Sequence, residues 1–441
     1  LALFPQQLLN EGVRKREVFG WAMYDFANSG YTTVVLTAVF NSYFVGVVAG
    51  GAPWATLAWT LTVAASSLIV MLTLPAIGAY ADAHAAKKRL LVMCTVLCVG
   101  ATLALTGTGP GTLWLAVLAV TVSNVAFSYG ESLIAAFLPE LSRNEALGRV
   151  SGWGWSFGYF GGMLTLGLSL VYVLAAQSRG EPATSFVPVT MLITAGIYFV
   201  ASIATFLLLK ERAVPQSPER AAAAVGGAID SLRRMVGTFK EARHFRDFSW
   251  FLACGACYQA GISVVIALAA VYAEQVLGFK QADTMLLIFL VNIAAASGAF
   301  AFGYWQDRVG HKPALALTLV GWIVMSVLTI MATGPVLFWI AAVIAGLCMG
   351  SSQSAGRAMA GLFTPADRRA EFFGLWTFAT RLSAVVGLLT YGLLVWLTDG
   401  NQRVAMAGTA MFFVGGLLLL SKVDIARGAA VAGGLQRAPT R

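Results

Sequence analysis

Charge is what this sequence has least of. Asp, Glu, Lys and Arg make up 11% of the 441 residues and apolar residues 58%, whereas a soluble domain carries about 25% charge. A water-soluble fold of this make-up would expose large apolar patches and aggregate. Histidine is scarcer still: the three, at 84, 244 and 311, sit in polar segments. They offer neither a His/Asp metal cluster nor a base beside a nucleophile, and no phosphate loop ending in Lys-Ser/Thr is present. Neither an enzyme nor a self-contained ATP-driven pump is expected, and no cofactor or metal. Alternating polarity never runs for long, which argues against a barrel of roughly ten-residue strands. The five cysteines, Cys94, Cys98, Cys254, Cys257 and Cys348, all fall in apolar stretches. Cys254-x-x-Cys257 has no His or second pair nearby, so it reads as two small buried side chains rather than a redox or zinc motif.

Long apolar runs are there instead. A bilayer core needs about 20 apolar helical residues to cross it, and twelve such stretches occur, over 19–49, 55–79, 89–107, 112–138, 150–176, 186–209, 248–276, 283–305, 313–332, 335–359, 370–397 and 403–421. The fold expected is all-α and integral to the membrane. The first run is too long for a cleavable signal and is followed directly by others, so no signal peptide is expected.

A net charge of +9 would suit a nucleic-acid partner, but its placement gives it another meaning. With the N-terminus inside, the outer loops hold only Arg179, Lys280 and Arg403. The other Lys and Arg lie on the inner side or near inner helix ends, among them Arg14, Lys15, Arg16, Lys87, Lys88, Arg89 and the cluster from Arg233 to Arg246. This is the positive-inside pattern. It predicts both termini in the cytoplasm and a bacterial inner membrane as the location, with lipid and no nucleic acid as partner.

The longest polar stretch divides the chain. Within 211–247, Leu232, Met235, Val236 and Phe239 recur at helical spacing opposite Arg233, Arg234 and Lys240, which predicts an amphipathic helix on the inner surface. Six spans precede it in 1–210, six follow in 248–425, and 426–441 forms a tail. The halves repeat each other. "GAYADAHAAKKR" after span 2 and "GYWQDRVGHKP" after span 8 set Gly78 and Gly303 apart by 225 residues, and "FLPELSRNEALGRVSG" and "LFTPADRRAEFFG" set Pro139 and Pro365 apart by 226. Two features at nearly one offset indicate duplication, and hence two pseudo-symmetric six-helix bundles.

These residues carry a resemblance. The pattern G-x-x-x-D-R-x-G-x-K between the second and third helix of each half resembles the signature of the major facilitator superfamily. The second copy matches at Gly303, Asp307, Arg308, Gly310 and Lys312. The first keeps Gly78, Asp82 and the Lys87, Lys88 pair but has Ala83 for the base and Ala85 for the glycine. Glycine lets two helices approach closely, and the Asp can accept from N–H groups at a neighbouring helix N-terminus or pair with Arg across the interface. Such contacts form in one state of a transporter and break in the other. "WAMYDFANSGYTTVVLTAVF", "GRVSGWGWSFGYFGG" and "RRAEFFGLWTFATR" resemble, more narrowly, the vacuole-effluxer-like branch, whose fungal members are associated with amino-acid export from the vacuole. The similarity spans nearly the whole chain. It implies a secondary transporter of a small polar or zwitterionic solute, driven by protons or another ion, acting as a monomer. Two positions depart from the branch: Ile134 to Leu138 replace a Tyr-Asn before Pro139, and Tyr258, Gln259, Ala260 and Gly261 stand where helix 7 tends to carry an acid.

Ionisable groups inside spans cost roughly 3 kcal/mol each at the bilayer centre, so each needs a reason. Asp25 lies about six residues, or about 9 Å, inside the inner end of span 1, and Glu131 about eight residues, or about 12 Å, above Pro139. Arg357 and Arg381 lie in spans 10 and 11. Acids in one half facing bases in the other allow inter-half ion pairs that lock the inner side, a split site for a zwitterion, or proton coupling through a buried carboxyl. Gating comes first for Asp25, proton or substrate binding for Glu131 and anion contact for Arg381, while Asp25 and Arg357 also lie within snorkelling reach of water. Tyr24, Asn28, Asn124, Tyr129, Gln259, Asn292 and Gln353 add neutral polar groups, and Trp155, Tyr159 and Trp376 either line the cavity or anchor at the interface. Gly154, Gly158 and Gly162 form a close-packing face expected to meet helix 8 across the halves. Two other functions stay open: a transporter-like receptor or scaffold without flux, and an exporter of amphiphilic or drug-like compounds.

Overall fold

The computed structural model describes residues 4–216, 245–278 and 281–434. Most of the expected amphipathic linker helix (217–244), Lys280 and the end of the tail (435–441) lie outside them. Twelve helices among the described residues are long and apolar enough to cross a membrane. They are α1 (Lys15–Tyr31), α2 (Ala55–Ala83), α3 (Lys87–Ala104), α4 (Leu113–Ala135), α5 (Leu147–Ser178), α6 (Ala183–Leu208), α7 (Arg246–Leu277), α8 (Gln281–Val309), α9 (His311–Met331), α10 (Pro335–Leu362), α11 (Arg369–Leu397) and α12 (Gln402–Ser421), followed by a short α13 (Ile425–Gly434). Helices satisfy every backbone group within one segment, which lipid requires. The span of α1 continues to Val48 through π-helical turns at Thr32–Ala38 and Phe44–Val48. Hydroxyls of Thr32 and Thr33 cap the Ser29 carbonyl and that of Thr37 caps the Thr32 carbonyl, which steadies a stretch where the ordinary ladder is lost.

Several helices run further than hydropathy suggests. The signature residues Gly78, Asp82, Gly303 and Asp307 sit on the last turns of α2 and α8 rather than in loops, because polar helix ends end an apolar count early. For the same reason α1 begins at Lys15, which puts Asp25 ten residues inside it, about 15 Å by the helical rise, and deeper than the sequence suggested.

The halves meet along two seams, α2 against α11 and α5 against α8. Glycines make both possible. A Cβ on Gly78 would strike the Ala370 carbonyl, one on Gly303 the Gly148 carbonyl, and one on Gly152 the Ala299 carbonyl. The expectation for Gly154, Gly158 and Gly162 is corrected here: they face α1 within their own half, against Asp25, Ser29 and Thr33. Two residues on a helix turn the face by about 200°. Gly148, Gly152 and Ser156, whose hydroxyl donates to the Ala296 carbonyl at 2.9 Å, therefore look the other way, toward α8.

At the end of the bundle carrying loops 2–3 and 8–9, the basic face, the two signature copies do the same work in opposite halves. Asp307 on α8 accepts the Gly148 and Arg149 amides at the start of α5, at 2.9 and 3.1 Å, and pairs with Arg149 Nε at 2.9 Å. Asp82 on α2 accepts the Glu371 amide at the start of α11 at 3.0 Å. Each carboxylate thus sits on the positive end of a helix from the other half. Arg308 is exposed and forms no ion pair among the described residues; the base that meets Asp307 is Arg149. Lys312 donates to the Ser421 and Val423 carbonyls, Lys88 to the Leu209 carbonyl, and Lys87 is buried against Glu140, which also meets Arg369 at 3.4 Å across the seam.

The loop that follows each Asp turns through positive φ, at +98° for Gly310 and at +49° for Ala85, its counterpart at an offset of 225. An alanine there is strained by about 1 kcal/mol relative to glycine. Ala85→Gly should therefore raise stability in detergent by about 1 kcal/mol and Gly310→Ala should lower it by at least as much. Melting curves of the two variants check this, and an Ala85→Gly protein no more stable than the parent would remove the strain argument.

Candidate functional site

A buried link between the halves joins Asp25 on α1 to Arg357 on α10. Arg357 Nη1 lies 2.6 Å from Asp25 Oδ2, and the two side chains are 8% and 10% exposed. Two further donors go to Ser151 on α5, Nε to the hydroxyl at 3.2 Å and Nη2 to the carbonyl at 2.8 Å. The guanidinium also stands over the rings of Trp21, at 4.8 Å, and Trp155, at 5.2 Å. A buried charge pair needs further hydrogen bonds to offset its desolvation, and Arg can satisfy a carboxylate, a backbone oxygen and two π-faces at once. Gly154 belongs to this arrangement, since a Cβ there would occupy the space of both charged groups.

A second acid–base pair stands nearby and is built differently. Arg381 on α11 donates through Nη2 to the Ser128 hydroxyl at 2.8 Å and reaches Glu131 Oε2 at 3.5 Å. Ser128 and Glu131 lie three residues apart on α4 and so share a face. The Arg381 and Glu131 side chains are 22% and 40% exposed, and Glu131 also feels the charges of Asp25 and Arg357. Four charges, two from each half, form one constellation, with one pair tight and buried and the other long and half open.

Around it the other candidate residues divide. Gln259 and Gln353 exchange amide hydrogen bonds between α7 and α10 at 2.9 and 3.4 Å. Trp376 stacks on Phe251 at 4.9 Å and covers Gly255 and Gly356. Trp155 packs on Tyr159. Asn28 is buried and accepts from Ser29, and Asn292 bonds back to the Ile288 carbonyl of its own helix. Tyr24 and Asn124 turn away into the first bundle. The Tyr24 hydroxyl meets Thr95 and Tyr198, and the Asn124 amide meets Ser66 at 2.6 Å, so both tie helices together rather than join the charges. Tyr129 likewise bonds Thr73. Ser128, Ser151 and Trp21 are contributors the sequence did not single out. Serine is common at helix contacts, and only the position of the Arg picks these two out. The Trp155 indole N–H and the Tyr258 hydroxyl are buried with no partner among the described residues.

The family described as vacuole effluxer Atg22 like matches residues 54–149 and 145–433. The chain belongs to that family. The uncharacterized MFS-type transporter YxiO of Bacillus subtilis is 26% identical over 410 residues, covering 91% of this chain and 94% of that protein. Autophagy-related protein 22 of Yarrowia lipolytica is 24% identical over 338 residues, 70% of this chain but 56% of its own length, so the chain spans about half the length of the fungal relatives it matches. Among solved structures, the human organic anion transporter MFSD10 superposes with a TM-score of 0.72 over 92% of this chain and 99% of that one, at 14% identity, a likeness of fold alone. This Atg22-like protein is therefore a major facilitator transporter, multi-pass in the membrane, and not an enzyme.

The two ion pairs of this transporter should differ in a double-mutant cycle. Arg357→Gln alone strands a buried carboxylate, which costs about 3 kcal/mol or more, and Asp25→Asn in that background should recover part of the loss. The Asp25–Arg357 coupling should exceed about 1 kcal/mol, and the Glu131–Arg381 coupling should stay below it, as half-exposed pairs do. Denaturation of the single and double variants measures both terms. Equal couplings would contradict the division into a tight and a loose pair.

Proposed function

We propose that the protein is a secondary transporter that carries a small zwitterionic, amino-acid-like solute by alternating access, coupled to protons, with its basic face and both termini in the cytoplasm of a bacterium. The observation that carries this reading is the loose Glu131–Arg381 pair, 3.5 Å long and partly open, beside a tight pair that is closed. An amino acid presents an ammonium and a carboxylate a few ångströms apart. Its carboxylate would take Arg381 and the Ser128 hydroxyl, and its ammonium would take Glu131, each replacing half of an existing pair. Arg is suited to such planar recognition. The amino-acid cargo also agrees with the effluxer branch to which the chain belongs.

Protons enter through the same exchange. When cargo is absent, Arg381 supports the charge of Glu131. A carboxylate in a membrane interior that loses its base without gaining a cation takes up a proton instead, so Glu131 can exchange a proton for an ammonium. The hydrogen bonds and ion pairs between halves described above lie on the half of the bundle next to the basic face. In the proposed orientation this is a cytoplasm-closed state, and opening it requires Asp25 to leave Arg357.

Two variants test this reading in proteoliposomes with a panel of amino acids. Glu131→Gln should abolish accumulation driven by a pH gradient and preserve equilibrium exchange, and undiminished pH-driven uptake would rule out Glu131 as the proton site. Arg381→Ala should weaken binding of the transported amino acid at least about tenfold, the loss expected of one charge-assisted contact. An unchanged apparent affinity would remove Arg381 from the cargo site.

A further inference from the structure

We propose that residues 209–216, the stretch of chain that follows α6, form a strap that fastens the basic-face gate along the α2–α11 seam and has to release before that gate opens. The stretch leaves the helix in an extended conformation at Leu209 and is pinned at Leu209, Glu211, Arg212 and Gln216. The Leu209 carbonyl accepts from Lys88 Nζ at 2.6 Å, Glu211 accepts the Lys88 amide at 2.6 Å, and Arg212 pairs with Glu17 at 2.7 Å and reaches the Gly12 carbonyl. At its end Gln216 spans the seam. Its amide donates to the Ala83 carbonyl of the first half at 2.9 Å, and its side chain donates to the Asp367 carbonyl of the second half at 2.7 Å.

The strap lies where the repeated gate device is weakest. On the α5–α8 seam, Asp307 has two backbone amides and the Arg149 guanidinium. On the α2–α11 seam the residue in the place of Arg149 is Glu371, whose carboxylate turns to Arg368, so Asp82 has backbone donors but no base from α11. Gln216 attaches at Ala83, the position that holds a base in the other copy, and adds the cross-seam bonds that the worn copy lacks. Because the strap is the beginning of the linker between the halves, force on the linker reaches this seam directly. The proposal concerns the gate alone and stands apart from the nature of the cargo.

Spin labels at the exposed Glu145 and Lys422, one in each half at the basic face, read the gate by electron–electron distance in lipid nanodiscs without any substrate. Each lost hydrogen bond is worth about fivefold in an equilibrium. Glu211→Ala combined with Gln216→Ala should therefore raise the ratio of long to short distances by about tenfold or more, and Gln216→Pro, which deletes both the amide donor to Ala83 and the side-chain donor to Asp367, by a similar factor. A distribution identical to that of the parent in both overturns the proposal. Gln216→Cys with Asp367→Cys, oxidised in the folded protein, gives the converse reading. The crosslinked protein should show the short distance alone and, on reduction, a larger long-distance population than the parent, because the Gln216 side chain that donates to Asp367 is gone, and a long-distance population that survives crosslinking also overturns it.

Discussion

The ion pair between Asp25 and Arg357 is the constraint around which the closed side of the molecule is arranged. Two charges held away from water need each other and further hydrogen bonds to offset their desolvation, and that demand reaches into three helices at once. The carboxylate comes from α1, the guanidinium from α10, and the Ser151 oxygens that complete the guanidinium from α5. Trp21 and Trp155 close the remaining sides. For α1 to bring Asp25 past α5, the facing surface of α5 must have no side chains, hence Gly154, Gly158 and Gly162. For α5 to bring Ser151 to the other half, its opposite surface must also be small, hence Gly148 and Gly152 against α8. One helix carries two bare faces because it is packed closely on both sides, by its own half and by the partner half.

The same economy explains the paired signature. A carboxylate at the end of one helix neutralises the positive end of a helix in the other half, and duplication makes the contact occur twice, Asp307 on α5 and Asp82 on α11. Bonds of this type are charge-assisted yet lie at the edge of the bundle, where water can replace them when the halves part. The copies are nonetheless unequal. Arg149 and Glu371 occupy the same place and carry opposite charge, and Ala85 keeps a backbone angle that Gly310 adopts without strain. The two copies share one geometry and differ in strength, the α5–α8 copy having a base where the α2–α11 copy has Glu371.

Much of this was legible in the sequence. Run length alone located all twelve spans, and an offset of 225 residues paired Gly78 with Gly303 and Asp82 with Asp307. The acids Asp25 and Glu131 and the bases Arg357 and Arg381 stand out because charge in lipid needs a reason, and the structure brings these four together. What stayed hidden depended on which way a side chain points. A stripe of glycines declares a close contact but not its partner, so Gly154, Gly158 and Gly162 could be matched to α8 as readily as to α1. Tyr24 neighbours Asp25 in sequence, yet one residue turns a helix by about 100°, enough to carry it into the Thr95–Tyr198 contact. The base in a motif need not be the base in the bond, as exposed Arg308 and paired Arg149 illustrate. Serines such as Ser128 and Ser151 carry no mark of their role until an Arg is placed beside them.

The unequal strength of the two central pairs imposes an order on the proposed cycle. A solute entering from the open side meets Glu131 and Arg381 while Asp25 and Arg357 are still sealed, because only the former pair is exposed enough to be reached. Displacing Arg381 from Glu131 costs little, since the pair is long and partly solvated. Displacing Arg357 from Asp25 costs several times more, and a solute that merely replaced the weak pair would gain too little to do it. The remaining drive has to come from contacts made only after the halves move, or from a change of charge on Glu131, which lies in the field of both members of the tight pair. An ionised Glu131 repels Asp25 and attracts Arg357, so protonating it favours the closed lock and releasing its proton favours opening. Coupling then needs no relay of residues between sites, because the acid that exchanges with the cargo and the lock that holds the gate share one electrostatic neighbourhood.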